Sequence, residues 1–186
     1  MITINKTAFF TDNKLRLNKA NIMINGGYIE IDTFDQSKNP TGYANVHFHQ
    51  NKRFYLDTIY CYDKYRSSGI GTYISELIEY LLRYNPGYVI RGSYNPMQLS
   101  TDLIDRIQRS KEELDLRARA FYKKNGYNIV EYSEFVENQE KYPYLVKEDF
   151  FIGDESDKTI VAKQLVPKKH SFYERDGVLY YENKRK

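Results

Sequence analysis

Apolar and polar positions change their rhythm along this chain, and the change separates strands from helices. Early on the rhythm is short. Ile22-Met23-Ile24 and Tyr28-Ile29-Glu30-Ile31 flank Asn25-Gly26-Gly27, the composition of a hairpin turn. Residues 42–49 form a second strand candidate after the turn-rich stretch DQSKNPTG, and residues 54–62 form a third. Consecutive strands of this kind predict an antiparallel meander. From residue 70 the rhythm lengthens. Ile70, Tyr73, Ile74, Leu77, Ile78, Leu81 and Leu82 recur at spacings of three and four, a wide apolar stripe on a helix. Asn85-Pro86-Gly87 ends that helix, and Tyr88-Val89-Ile90 reads as a short buried strand.

A second helical segment follows. Ser100-Thr101-Asp102 offers N-cap residues, and Leu103, Ile107, Leu114, Ala118, Phe121 and Tyr122 form its stripe. It ends near Asn125-Gly126, where Gly126 suits a left-handed C-terminal cap. One long helix or two shorter ones both fit. Residues 127–132 and 159–166 are late strands, separated by a polar, aromatic insertion over 133–158. In the last twenty residues Asp176-Gly177 lies between aromatic runs, which predicts a hairpin with a basic end. The order of strands, helix, strand, helix and strands predicts an α/β (α+β) domain with a mixed sheet.

Composition narrows this reading. A chain of 186 residues suits one domain with a sizeable core. Its mean hydropathy of −0.71 is polar, yet 19 tyrosines and 10 phenylalanines argue for an ordered chain. A net charge of +3 gives no strong nucleic-acid signature. Cys61 is the single cysteine, so neither an intrachain disulfide nor a cysteine-based metal cluster can form. A reducing, cytoplasmic location is the expectation. No apolar run approaches the ~20 residues that span a bilayer, and the opening MITINKTAFFTDNK lacks the layout of a signal peptide.

The chemistry concentrates in YRSSGIGT, residues 65–72, between the third strand and the first helix. Gly69 and Gly71 relax backbone geometry and let a ligand approach the main chain. The first N–H groups of the following helix have no intrahelical partner, and the helix dipole is positive there. This combination suits a phosphate or pyrophosphate. Arg66 adds charge, and Ser67, Ser68 and Thr72 add donors. A P-loop requires a Lys after its last Gly, and a dinucleotide fold requires a third Gly; both are missing. A tight turn with no ligand would also explain the two glycines.

At these residues the chain resembles the GCN5-related N-acetyltransferases, the GNAT superfamily. That family's signature, Arg/Gln-x-x-Gly-x-Gly/Ala between its fourth strand and third helix, is matched by Arg66-Ser67-Ser68-Gly69-Ile70-Gly71. The preceding LDTIYCYDKY is similar to the family's strand and loop, with Cys61 where Val is common and Asp63 where Pro is common. A second match, DLRARAFYKKNGY, is similar to N-x-x-A-x-x-F-Y-x-x-x-G-F. Ala118, Phe121, Tyr122 and Gly126 agree, while Asp115 replaces Asn and Tyr127 replaces Phe. The resemblance spans about residues 22–166.

The resemblance implies that residues 1–166 form the acetyltransferase-like domain and 167–186 a C-terminal extension packed on it. It implies acetyl-CoA as acyl donor in a V between the family's fourth and fifth strands, with no metal. Its pantetheine would pair with the backbone of Ile59, Tyr60 and Cys61. Its pyrophosphate would rest on Arg66, Ser67, Ser68, Gly69, Ile70, Gly71 and Thr72. The acetyl group would pass directly to an amine acceptor, with a backbone N–H near Cys61 on the oxyanion and Tyr122 protonating the departing thiolate. An aromatic at helical spacing is also simply a core residue, so Tyr122 has both readings. Asp57, near a position where many relatives carry Glu, is the candidate base, and a solvated Asp is the other reading.

His47 and His49 alternate on one strand and so share a face, as a metal pair would; surface or packing roles need no further ligands. Cys61 occupies a packing position and has no evident His partner, so it is read as structural. Three departures from the family stand out. Only about twenty residues precede the first hairpin, with little helical periodicity, where two helices usually cover the acceptor site. The stretch from Arg91 to Asp115 is long. The segments 133–158 and 167–186 add Tyr and Phe. The acceptor site is therefore more open, or is completed by the insertion or by a second subunit of a homodimer. One alternative keeps the fold as a CoA-sensing or interaction module. Another is nucleic-acid binding through VPKKHSF and ENKRK, whose basic residues are interspersed with acids and read more simply as solvated surface.

Overall fold

Period-two alternation runs further toward the N-terminus than the hairpin at Gly26-Gly27 indicates. The computed structural model describes residues 2–85, 87–91, 111–151 and 159–182. Five strands follow one another: β1 (Ile4–Thr11), β2 (Leu17–Asn25), β3 (Tyr28–Asp35), β4 (Pro40–His49) and β5 (Arg53–Cys61). Each pairs antiparallel with the next, which is the expected meander extended by one strand, β1, at its start. The first hairpin is therefore β1–β2, not the one at Gly26-Gly27. Ala8 and Phe10 are buried while their neighbours are less so, a short signal that carries the pairing once β2 lies beside it.

α1 (Ile70–Leu81) then crosses over to β6 (Gly87–Arg91), which is parallel to β5. α2 (Lys111–Lys124) leads to β7 (Asn128–Glu131), α3 (Tyr132–Glu137) and β8 (Thr159–Leu165). The expected N-cap at Ser100-Thr101-Asp102, with Leu103 and Ile107, lies outside the described residues, as does most of the stretch between 91 and 115. Gly126 follows α2 with φ +78°, the left-handed cap expected of it. Tyr132 opens α3 instead of ending a strand.

The expected C-terminal hairpin is β9 (Phe172–Arg175) and β10 (Val178–Tyr181), turning at Asp176-Gly177. It does not stand apart: β10 pairs in parallel with β1. One ten-stranded sheet results, in the order β7-β8-β6-β5-β4-β3-β2-β1-β10-β9.

Two apolar clusters hold the sheet. Ile70, Ile74, Leu77 and Ile78 of α1 pack on Ala20, Ile22, Ile31, Ala44, Val46 and Leu56. Each large side chain buried this way contributes roughly 1.5–3 kcal/mol. Successive strand residues point to opposite faces. Thus Val89 and Val161 join that cluster, while Tyr88, Ile160 and Ala162 turn to the other face and meet Phe135, Leu145 and Phe150 of the insertion. The insertion is pinned by buried Asp149, whose carboxylate accepts a 3.0 Å hydrogen bond from Arg53 of β5, another from the Tyr55 hydroxyl, and one from the Val146 N–H at 2.8 Å. Over β3, β4 and β5 that same face carries partly exposed side chains. No helix among the described residues is long and apolar enough to cross a membrane.

Candidate functional site

The parallel pairing of β5 with β6 is brief. It holds at Arg53–Tyr88, Phe54–Val89 and Tyr55–Ile90, whereas β4 accompanies β5 all the way to Cys61. Beyond Tyr55, therefore, one edge of β5 has no strand partner among the described residues, and Ile59, Tyr60 and Cys61 lie along it. A β-bulge in the β4–β5 ladder precedes this stretch: Asn45 faces Thr58 and Val46 faces Leu56, leaving Asp57 unmatched.

A cavity of about 420 Å³ opens where that edge meets the start of α1. Ile59, Tyr60 and Cys61 form one wall. Tyr65, Arg66, Ser67, Gly69, Ile70, Gly71 and Thr72 form the floor, and Ala118, Phe121 and Tyr122 of α2 form the opposite wall. Nine of the ten residues assigned to acetyl-CoA by resemblance thus line one space, together with Tyr122. Ser68 is the exception: it is fully buried, and its hydroxyl donates to the Tyr65 carbonyl.

Gly69 is the N-cap of α1 with φ +88°, a conformation that L side chains resist. A Cβ there would also lie 2.8 Å from the Asn13 side chain, because the β1–β2 turn closes on this loop. The Asn13 N–H donates to the Ser68 carbonyl at 2.8 Å. Asp12 shapes that turn by accepting from the Lys14 and Arg16 N–H groups, both at 2.9 Å. No side chain caps α1, so the N–H groups of its first turn face the cavity region without a cap. The loop is fixed from below by buried Tyr65, whose hydroxyl donates to Asp35 at 2.5 Å.

Arg66 lies 2.5 Å from Asp63 and donates from Nε to the Cys61 carbonyl at 3.5 Å, which sets its guanidinium between strand and loop. Burial pushes the Cys61 thiol up to about 11, with Arg66 pulling it down and Asp63 pushing it further up. The thiol is neutral near pH 7 and a poor nucleophile. Tyr122 is 1% exposed and belongs to the main core while also lining the cavity; both readings of it describe one position. Arg117, Lys124 and Asn13 also line the cavity and were missed in the sequence. The spacing 117, 121, 124 puts the first two on the Phe121 face of α2, a signal that was present. Asn13 had none.

Asp57 is not in this lining. Its carboxylate pairs with His47 on the exposed face of β4 and β5. His49 instead sits 3.3 Å from Arg53 and edge-on to Tyr55. The two histidines thus engage different partners, and the described residues contain no cluster of three metal-ligating side chains.

No protein-family model and no curated protein matches this sequence. Solved structures do. A GNAT-family acetyltransferase from Staphylococcus aureus aligns over 75% of this chain and 69% of its own, at 13% identity and a TM-score of 0.50. Tetrahymena GCN5 aligns over 78% and 73%, at 10% identity and 0.49. Nourseothricin acetyltransferase aligns over 88% of both chains, at 12% identity and 0.48. The fold of this chain is that of the GNAT superfamily, a mixed α/β sheet with mostly antiparallel strands, as the two motifs predict.

Proposed function

We propose that this chain is an acetyl-CoA-dependent N-acetyltransferase that moves acetyl directly from CoA sulfur to a primary amine. One observation carries the reading: the cavity joins the edge of β5 that has no strand partner among the described residues to the uncapped N-terminus of α1, and both sequence motifs line it. A pyrophosphate fits the α1 N–H groups with Arg66 beside them. A pantetheine arm, with its two amides, suits an open strand edge as an added strand would.

The chemistry then runs in one step of transfer. The neutral amine nitrogen attacks the thioester carbonyl carbon, a C–N bond forms and the C–S bond breaks. The Tyr122 hydroxyl gives its proton to the departing thiolate and recovers one from solvent. The proton leaving the amine passes to the Asp57–His47 pair, directly or through water. The neutral Cys61 thiol supports direct transfer over an acyl-cysteine route.

The test is a calorimetric titration with acetyl-CoA, followed by a CoA-release assay over peptides, monoamines, polyamines and amino sugars. Binding together with release on at least one amine is expected. Binding with no release across the whole panel would favour a sensing module; absence of binding would remove the reading.

A further inference from the structure

Three tyrosines meet where the cavity reaches the sheet face that carries the Asp57–His47 pair. Tyr43 stands directly across from Tyr60 in the β4–β5 ladder, with ring centroids 5.3 Å apart. Tyr62 completes the group, 5.1 Å from Tyr60 and 6.3 Å from Tyr43. Their planes cross at 42°, 81° and 59°, so the rings are angled and do not stack flat on one another. Tyr62 is 38% exposed, and Tyr60 also lines the cavity. The cluster is therefore continuous with the site. Angled, partly exposed ring faces attract a cation.

Carboxylates extend the same surface. Asp32 is directly opposite Tyr43 in the β3–β4 ladder, giving the row Asp32–Tyr43–Tyr60. The next row on this face is Glu30–Asn45–Thr58, and Asp57 follows at the bulge. Directly paired residues project to one side of the sheet. No lysine or arginine stands in either row. The charges of Glu30, Asp57 and Asp32 all act on Tyr28, whose phenol burial first, and these charges next, push above the usual tyrosine range. His47, on the same face, is engaged by Asp57, and Lys19, paired with Phe34, stands diagonal to Asp32 at the far end of the surface.

We infer that this face selects the acceptor, a small polycationic amine: one nitrogen reacts beside Tyr60 while a second ammonium sits between the Tyr43 and Tyr62 rings and Asp32. This rests on the acetyl-transfer reading above. Asp32 is two strands from Tyr60, roughly 10 Å at about 4.8 Å per strand. An extended linear polyamine spans that distance, and so does a polyaminated sugar. A monoamine or a neutral peptide amine fills only the reacting end.

The experiment compares KM and kcat of the full chain for spermidine, kanamycin, n-butylamine and an uncharged peptide with a free N-terminus. The expected result is a KM for spermidine or kanamycin at least about tenfold below that for butylamine; which of the two is favoured identifies linear or sugar chemistry. Asp32→Asn and Tyr43→Leu should each raise that KM about tenfold, equivalent to ~1.4 kcal/mol. Butylamine turnover and acetyl-CoA affinity should hold, and Tyr43→Phe should keep the low KM because the ring face is retained. Thermal melting of each variant separates misfolding from lost recognition. Preference for butylamine or the peptide, or an unchanged KM in both variants, overturns the inference. Should no amine be acetylated, spermidine binding measured by calorimetry decides the matter. Binding that Asp32→Asn weakens supports the cationic site while the transfer reading falls; no binding overturns the site as well.

Discussion

Gly71 and Phe121 meet where the first turn of α1 faces the last turns of α2: a Cβ built on Gly71 would come within 2.9 Å of the Phe121 ring. The two motifs, fifty residues apart in sequence, are thus one contact. Gly71→Ala forces the ring to shift at the cavity floor, and overpacking of this kind costs about 1–3 kcal/mol. The expected outcome is acetyl-CoA binding weakened at least about tenfold in calorimetry. Pairing it with Phe121→Leu should recover part of that loss.

Tyr122→Phe keeps the buried ring and removes the hydroxyl. We expect kcat to fall by about a hundredfold, within the usual range for a general acid, with acetyl-CoA affinity unchanged. A rate equal to that of the unmodified chain would remove Tyr122 from the mechanism and leave it as core.

If the Asp57–His47 pair receives the amine proton, Asp57→Asn and His47→Gln should both depress the rate and distort the limb of the pH–rate profile that rises as the base loses its proton. Profiles that keep this limb in both variants would place the base elsewhere. The bulge at Asp57 takes that residue out of the regular ladder, where its carboxylate pairs with His47 on the exposed face.

Asp149 and Arg53 are a buried ion pair joining the insertion to β5. Breaking one side leaves the other charge without its partner, at a cost of about 3–5 kcal/mol. Asp149→Ala should lower the urea midpoint accordingly and increase proteolysis within residues 132–151, while a distant surface variant such as Lys38→Ala should change neither.

Alkali should unfold this protein through its tyrosines. Burial, with the Asp149 hydrogen bond and charge, raises Tyr55; burial and Glu134 push Tyr142 up to about 12; burial and Glu76 push Tyr181 up to about 12. Each has a folded value above the ordinary 10.0, so the fold holds its neutral form. Their stabilisation is complete below pH 10 and is lost as pH rises from there through the folded values. Phenolate absorbance should therefore appear late and in step with the loss of near-ultraviolet circular dichroism. In acid the sign reverses for Asp35, held at about 2 chiefly by the Tyr65 hydroxyl: its contribution is present above 3.8 and disappears as pH falls toward 2.

Much of the frame was legible because it depends on local pattern. The three-four stripe from Ile70 to Leu82 marks α1, and turn residues mark the hairpins at Gly26-Gly27 and Asp176-Gly177. The loop proposed to hold the pyrophosphate was legible because its glycines, Arg66 and helix start are contiguous. β1 was missed because its alternation is brief and its edge is secured by β2 and β10, distant partners. Ser68 was read as a donor to the ligand, but its hydroxyl is taken by the Tyr65 carbonyl, a contact that only the folded loop makes.

By itself, then, the sequence determined the order of elements from β2 to α2, the glycine-bearing turn before α1 and the superfamily resemblance, all properties of short windows in which neighbours set backbone preference. The tertiary structure alone decided that β5 parts from β6 after Tyr55, that Phe121 closes on Gly71, and that Asp32, Tyr43 and Tyr60 form one row. These depend on ladder register and on helix packing across the sheet. Register places residues from three strands side by side, and no window of the chain contains all three.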